Sequence, residues 1–202
     1  RAAVFLPDLS IMPPDSFTPS GSPVDAKALA AKLRPHYQAA LLKVLKGNEA
    51  AANLKIIAAV FSKLAGANLP DPLRQWVWVS TAFTEALRAG ALPAEGPVKQ
   101  LLGKNEQLIK FIASRGTQEL NEEALTALVR ALLYEIGKAG KGGKAFKEVR
   151  EAFNLEGLLP SPEAAEQLRG NLGGFNAELK KTVSRDVMEE LSRIQDVLDL
   201  FG

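Results

Sequence analysis

The stretch DPLRQWVWVSTAFTEALRAG, residues 71–90, contains both tryptophans of the chain, Trp76 and Trp78, and its reading decides the fold. The spacing predicts a buried central helix. Asp71 suits an N-cap, because its carboxylate can accept from the free N–H groups of a first turn, and Pro72 suits the next position, where no donor is needed. Gly90 can take the left-handed conformation that closes a helix. Leu73, Trp76, Val77, Ala82, Phe83, Ala86 and Leu87 fall near helical spacing, while Trp78 and Val79 spill onto adjoining faces, so other elements must cover more than one side. Valines beside tryptophans would also suit a strand, but the capped length and the TEALRA tail favour helix. The stretch carries no reacting group.

Outward from it, both flanks repeat the helical pattern. Upstream, residues 49–65 place Leu54, Ile57, Val60, Phe61 and Leu64 at spacings of three and four, and the loop 67–70 is short enough to make antiparallel neighbours. Residues 25–46 form another helix, with Leu29, Leu33, Tyr37, Leu41, Leu42 and Leu45 apolar and Gly47 as its stop; Pro35 inside it predicts a kink or a fresh start near Arg34. Downstream, residues 93–114 read as a helix weakened by Gly96 and Gly103. Residues 117–138 follow, opening on Glu119, Glu122 and Glu123, whose charges suit a helix N-terminus. A glycine-rich turn then feeds a short helix from Lys144, and an apolar loop, 155–162, plugs the bundle end. The last helix, 176–200, carries Leu179, Val183, Val187, Leu191, Ile194 and Leu198 in one stripe. Such a stripe needs cover, either by folding back or by pairing with a second copy or a partner helix, with Val187 and Leu191 at its centre.

The expected architecture is therefore all-α, an antiparallel helical bundle in three parts. Residues 1–23 hold five of the twelve prolines and form an extended apolar arm; 24–140 form the bundle; 141–202 hold the short helix, the apolar loop and the long C-terminal helix. A chain of 202 residues that is 47% hydrophobic has ample material for a core. Its 25 basic and 23 acidic residues nearly cancel, so no global field selects a nucleic acid or an anionic membrane. The lack of cysteine removes thiol nucleophiles, thiolate metal sites and disulfides together, and favours a cytoplasmic setting. No apolar run approaches the roughly 20 residues needed to span a bilayer. The opening Arg1, with no initiator Met, suggests a piece of a longer protein.

Catalytic constellations fail one by one. The segment 137–144 invites a phosphate-loop reading, but six residues after Gly137 stands Gly143 where that motif needs lysine, no Ser or Thr follows, and the segment leaves a helix rather than a strand. A solvated turn explains it; a basic contact patch of Lys138, Lys141, Lys144, Lys147 and Arg150 is the functional alternative. His36 is the single histidine, with no carboxylate three or four positions away to share a metal. It reads as a surface or boundary residue. The basic residues are not interleaved with aromatics, which leaves no recognisable nucleic-acid module. No enzyme activity, metal or cofactor is expected.

Three blocks together resemble a family: RPHYQAALLKVLKG at 34–47, QWVWVSTAFTEALRAGALP at 75–93, and LLYEIGKAGKGGKAFKEVREAFNLEGLLP at 132–160. They are similar, in order and spacing, to the amino-terminal region of large pilus-type chemotaxis kinases such as ChpA and PilL, and to the stand-alone FimL-type twitching-motility regulators related to it. The resemblance implies a bundle similar to a histidine phosphotransfer domain, acting as a non-catalytic scaffold in a chemosensory system for type IV pili and cyclic-AMP-linked signalling. Its partners would be other signalling or polar-localisation proteins, with recruitment to the cell pole; a homodimer stays open. Active phosphotransfer domains carry H-x-x-K-G, whereas His36 is followed by Tyr37, Gln38, Ala39 and Ala40, and the Lys46–Gly47 pair has Lys43 where the histidine would stand. A phosphorelay through His36, and a dimerisation or targeting segment of a larger kinase, are the alternative readings.

Overall fold

The computed structural model describes residues 5–17, 19 and 21–158. Among them the chain is all helical: α1 (Ala26–Leu45), α2 (Ala50–Leu64), α3 (Asp71–Arg88), α4 (Pro97–Arg115), α5 (Glu122–Lys138), α6 (Lys144–Ala152) and the single turn α7 (Leu155–Leu158). The C-terminal stripe with Val187 and Leu191 lies outside the described residues. α1 packs on α2 and α4, while α3 packs on α2, α5 and α6. An isolated parallel bridge between Val24 and Ala67 ties the entry of α1 to the end of α2, through Asn68 N–H donating to the Val24 carbonyl at 2.8 Å.

The boundaries show which local signals win. Asp25 caps α1, its carboxylate accepting from Ala28 N–H at 2.9 Å. α1 passes through Pro35 as one element rather than restarting there. Pro35 is exposed, and so is Ala31, whose carbonyl loses its helical partner to the proline and can bond to water instead. α3 begins one residue earlier than its sequence suggests: Pro70 occupies the cap, and Asp71, already helical, pairs with Arg74 at 3.1 Å. Gly90 has φ +75°, as a left-handed helix stop requires. Gly96, with φ +56°, precedes α4 instead of weakening it. α5 starts at Glu122 because Asn121 supplies the cap, accepting from Ala124 N–H at 2.9 Å; Glu119 stays in the loop and pairs with Arg115 at 3.3 Å.

The two tryptophans explain why α3 is covered on more than one side. Trp76 is fully buried and meets Phe61 of α2 edge-on at 5.5 Å; Phe61 in turn meets Tyr37 of α1 at 5.9 Å. Trp78 faces the other way and lies 5.6 Å from Phe153, beyond the end of α6. Such aromatic contacts add to the area they bury. α4 departs from simple amphipathicity, with Asn105, Glu106, Gln107 and Lys110 buried beside its apolar residues. Asn105 resolves part of that cost: its side-chain oxygen accepts from the Trp76 indole at 2.9 Å and its amide donates to Ser80 Oγ at 3.2 Å. The described part of the arm touches the bundle too. Phe5 is buried with its ring 5.8 Å from Tyr134, and Gln75 Nε2 donates to the carbonyls of Leu9 and Ile11, both at 2.8 Å.

Candidate functional site

The turn between α5 and α6 gathers most of the basic residues singled out in the sequence. It exists because α6 is held against α3 by a side chain distant in sequence. Glu85, on α3, accepts from Ala145 N–H at 2.9 Å and from Phe146 N–H at 3.2 Å, so its carboxylate caps the first turn of α6. The two glycines before that turn make room for the contact. A Cβ on Gly143 would stand 2.6 Å from Glu85 Oε2, and one on Gly142 would stand 2.3 Å from Phe146 Cγ. The glycines therefore serve close packing. The amides that a phosphate-binding turn would offer to a ligand are already bonded to an internal carboxylate.

Outside this capped turn lies a concave pocket of about 820 Å³. Lys138, Lys141, Lys147 and Arg150 line it, together with Glu151 and Glu156. Lys144, the fifth residue of the expected patch, is exposed on α6 but does not line the pocket. The four basic groups differ in freedom. Lys138 Nζ pairs with Glu135 at 3.1 Å and sits 4.6 Å above the Tyr134 ring. Arg150 donates to the carbonyl of Ala139, pairs with Glu156 at 3.2 Å and lies over Phe146, so it fastens α6 to the end of α5 and to α7. Lys141 and Lys147 are exposed, and they are the charges the pocket can offer to an incoming carboxylate. The long ammonium stems give a site that attracts negative charge without imposing bidentate geometry.

His36 stands elsewhere, exposed on α1, and the structure does not bring it to the α5–α6 pocket. Among the described residues no group of three or more His, Asp or Glu side chains could hold a metal, and no helix is long and apolar enough to cross a membrane.

Glu106 is the buried acid that sequence spacing did not single out. Its side chain has no exposed surface, and Arg34 from α1 reaches it at 3.0 Å. Burial pushes its carboxyl above the ordinary range, and the charges of Arg34 and Lys110 pull it partly back. Tyr37, which donates to the Leu102 carbonyl at 2.8 Å, is raised well above the ordinary phenol range by burial and by Glu106. This group joins α1 to α4 inside the bundle.

Residues 22–166, which hold this helical bundle, match a family described as the FimL scaffold protein second domain. The chain belongs to that family. A scaffold acts by holding other proteins, so protein partners follow from membership in the FimL second-domain family. The family match covers α1 to α7 and with them the whole α5–α6 pocket. No curated protein and no solved structure matches the chain.

Proposed function

We propose that this domain is a non-catalytic scaffold module of a chemosensory system that controls type IV pili, twitching motility and cyclic-AMP-linked signalling, and that it docks an acidic segment of a signalling or polar-localisation protein in the α5–α6 pocket. The observation that carries the docking site is the convergence of Lys138, Lys141, Lys147 and Arg150 on one concavity, with Lys141 and Lys147 exposed. Membership in a scaffold family supports the class of function. Recruitment to the cell pole and action in the cytoplasm belong to the same proposal. A photo-crosslinking amino acid placed at Lys147 of the full-length protein in living cells tests it. A chemosensory or polar partner is expected in the adduct, and its loss on Lys141→Glu; adducts with no protein of that class would refute the reading.

The phosphorelay alternative keeps one observation in its favour: His36 is exposed at mid-helix, one turn from Lys32. Incubation with a phosphorylated donor separates the two. Acid-labile phosphate that is abolished by His36→Gln would establish transfer and end the scaffold-only account.

A further inference from the structure

The hairpin of α1 and α2 carries a charge pattern that the rest of the protein does not share. Of the 25 Lys and Arg residues six fall in these two helices, and of the 23 Asp and Glu residues none does. Elsewhere several bases have acids beside them, as in Arg74 with Asp71, Arg115 with Glu119 and Lys138 with Glu135. A face serving solubility alone gains from such mixed pairs. Here the pattern differs. Lys32, His36 and Lys43 follow one another at spacings of four and seven along the exposed side of α1, and on α2 Lys55 and Lys63, eight apart, are exposed together with Ile56. None of the four lysines has an acidic partner among the described residues. The one arginine of α1, Arg34, is turned to the buried Glu106.

We infer that the outer face of the α1–α2 hairpin is a second docking surface, and that its occupant is an acidic helical surface of a partner protein. Ala39 of α1 and Ala59 of α2 are exposed on these helices as well, and such small side chains let another backbone approach closely. From Lys32 to Lys43 the basic stripe of α1 rises about 17 Å, the length of about three turns of a facing helix. Its chemistry favours protein over the other anionic partners. The aromatics of the hairpin, Tyr37 and Phe61, are buried rather than presented for base stacking. Ile56, 42% exposed, is the one large apolar side chain of the two helices open to solvent, too little to anchor a bilayer contact. α6 packs on α3 and α5 whereas α1 packs on α2 and α4, so this face and the α5–α6 pocket belong to different sides of the fold. The domain then holds two acidic partners at once.

Titration with a fluorescent helical peptide of about 20 residues, built from Glu and Ala with Glu at every third and fourth position, tests the inference by affinity and stoichiometry. Two bound peptides are expected. Lys32→Glu with Lys43→Glu removes one site, weakening it by at least about tenfold, and Lys141→Glu with Lys147→Glu removes the other. Loss of a site only in the second pair overturns the hairpin face and leaves the pocket; loss only in the first pair supports the hairpin face and sinks the pocket. Lys55→Gln with Lys63→Gln repeats the first test on α2 should the charge reversals fail to fold. Tighter binding of single-stranded DNA, or of phosphatidylserine vesicles, than of the peptide to the same face would overturn the assignment to a protein partner.

Discussion

Glu85 on α3 and Ala145 at the start of α6 are joined by a 2.9 Å hydrogen bond across 60 positions of sequence, and this bond seats the helix that carries the candidate docking pocket. Glu85→Ala removes the cap and is expected to lower stability by about 1–2 kcal/mol, as the loss of a helix cap does. Gly143→Ala is expected to cost a similar amount in the parent, because its new Cβ meets Glu85 Oε2 at 2.6 Å, and much less beside Glu85→Ala. Denaturant melts of the four proteins check this; strictly additive effects would contradict the contact.

Trp76 and Asn105 make a second coupled pair. Trp76→Ala is expected to cost about 3–5 kcal/mol, since neighbours packed around a fully buried indole cannot fill the hole. Asn105→Ala strands the Trp76 N–H and is expected to cost about 1–3 kcal/mol, most of which is recovered in a Trp76→Phe background. Thermal and urea denaturation read both effects. An unchanged melt for Trp76→Ala would place the indole outside the core.

Glu106 predicts a pH dependence. Its folded carboxyl is raised, so its contribution to stability is fully present at acid pH and is lost as pH climbs through the carboxylate range towards neutrality. Arg34, Lys110 and the neutral Tyr37 surround the group and set how large the loss is. Glu106→Gln removes the titration. Relative to this variant the parent is expected to lose stability between acid and neutral pH, in urea midpoints measured along a pH series. A difference that stays constant with pH would show that the carboxyl is not raised.

Gln75 predicts how firmly the arm is held. Its amide satisfies two carbonyls, of Leu9 and Ile11. Gln75→Ala is expected to speed proteolysis between residues 5 and 17 several-fold while shifting the global melt by no more than about 1–2 kcal/mol. Equal cleavage in parent and variant would mean that these two bonds do not retain the arm.

What the sequence shows and what it hides divide along local and long-range physics. The helical spacing of Leu54, Ile57, Val60, Phe61 and Leu64 is visible in a single stretch, and so is the left-handed stop at Gly90, because each depends on neighbours within a turn or two. Lys138, Lys141, Lys147 and Arg150 stand out for the same reason, lying close together along the chain. Glu85 does not, since nothing in TEALRA tells that its carboxylate meets Ala145 and Phe146. The same holds for Glu106 and Asn105, whose burial in α4 depends on Arg34, Trp76 and Ser80 arriving from other helices. Asp71 and Pro70 compete for one cap within a single residue, a choice that packing makes rather than propensity.

The central claim, docking without phosphotransfer, is tested most directly by returning two variants of the full-length protein to cells and measuring twitching. Lys141→Glu with Lys147→Glu is expected to abolish twitching while the protein stays folded and abundant, and His36→Gln is expected to leave it intact. Twitching lost with His36→Gln and retained with the paired lysine reversals would contradict the account.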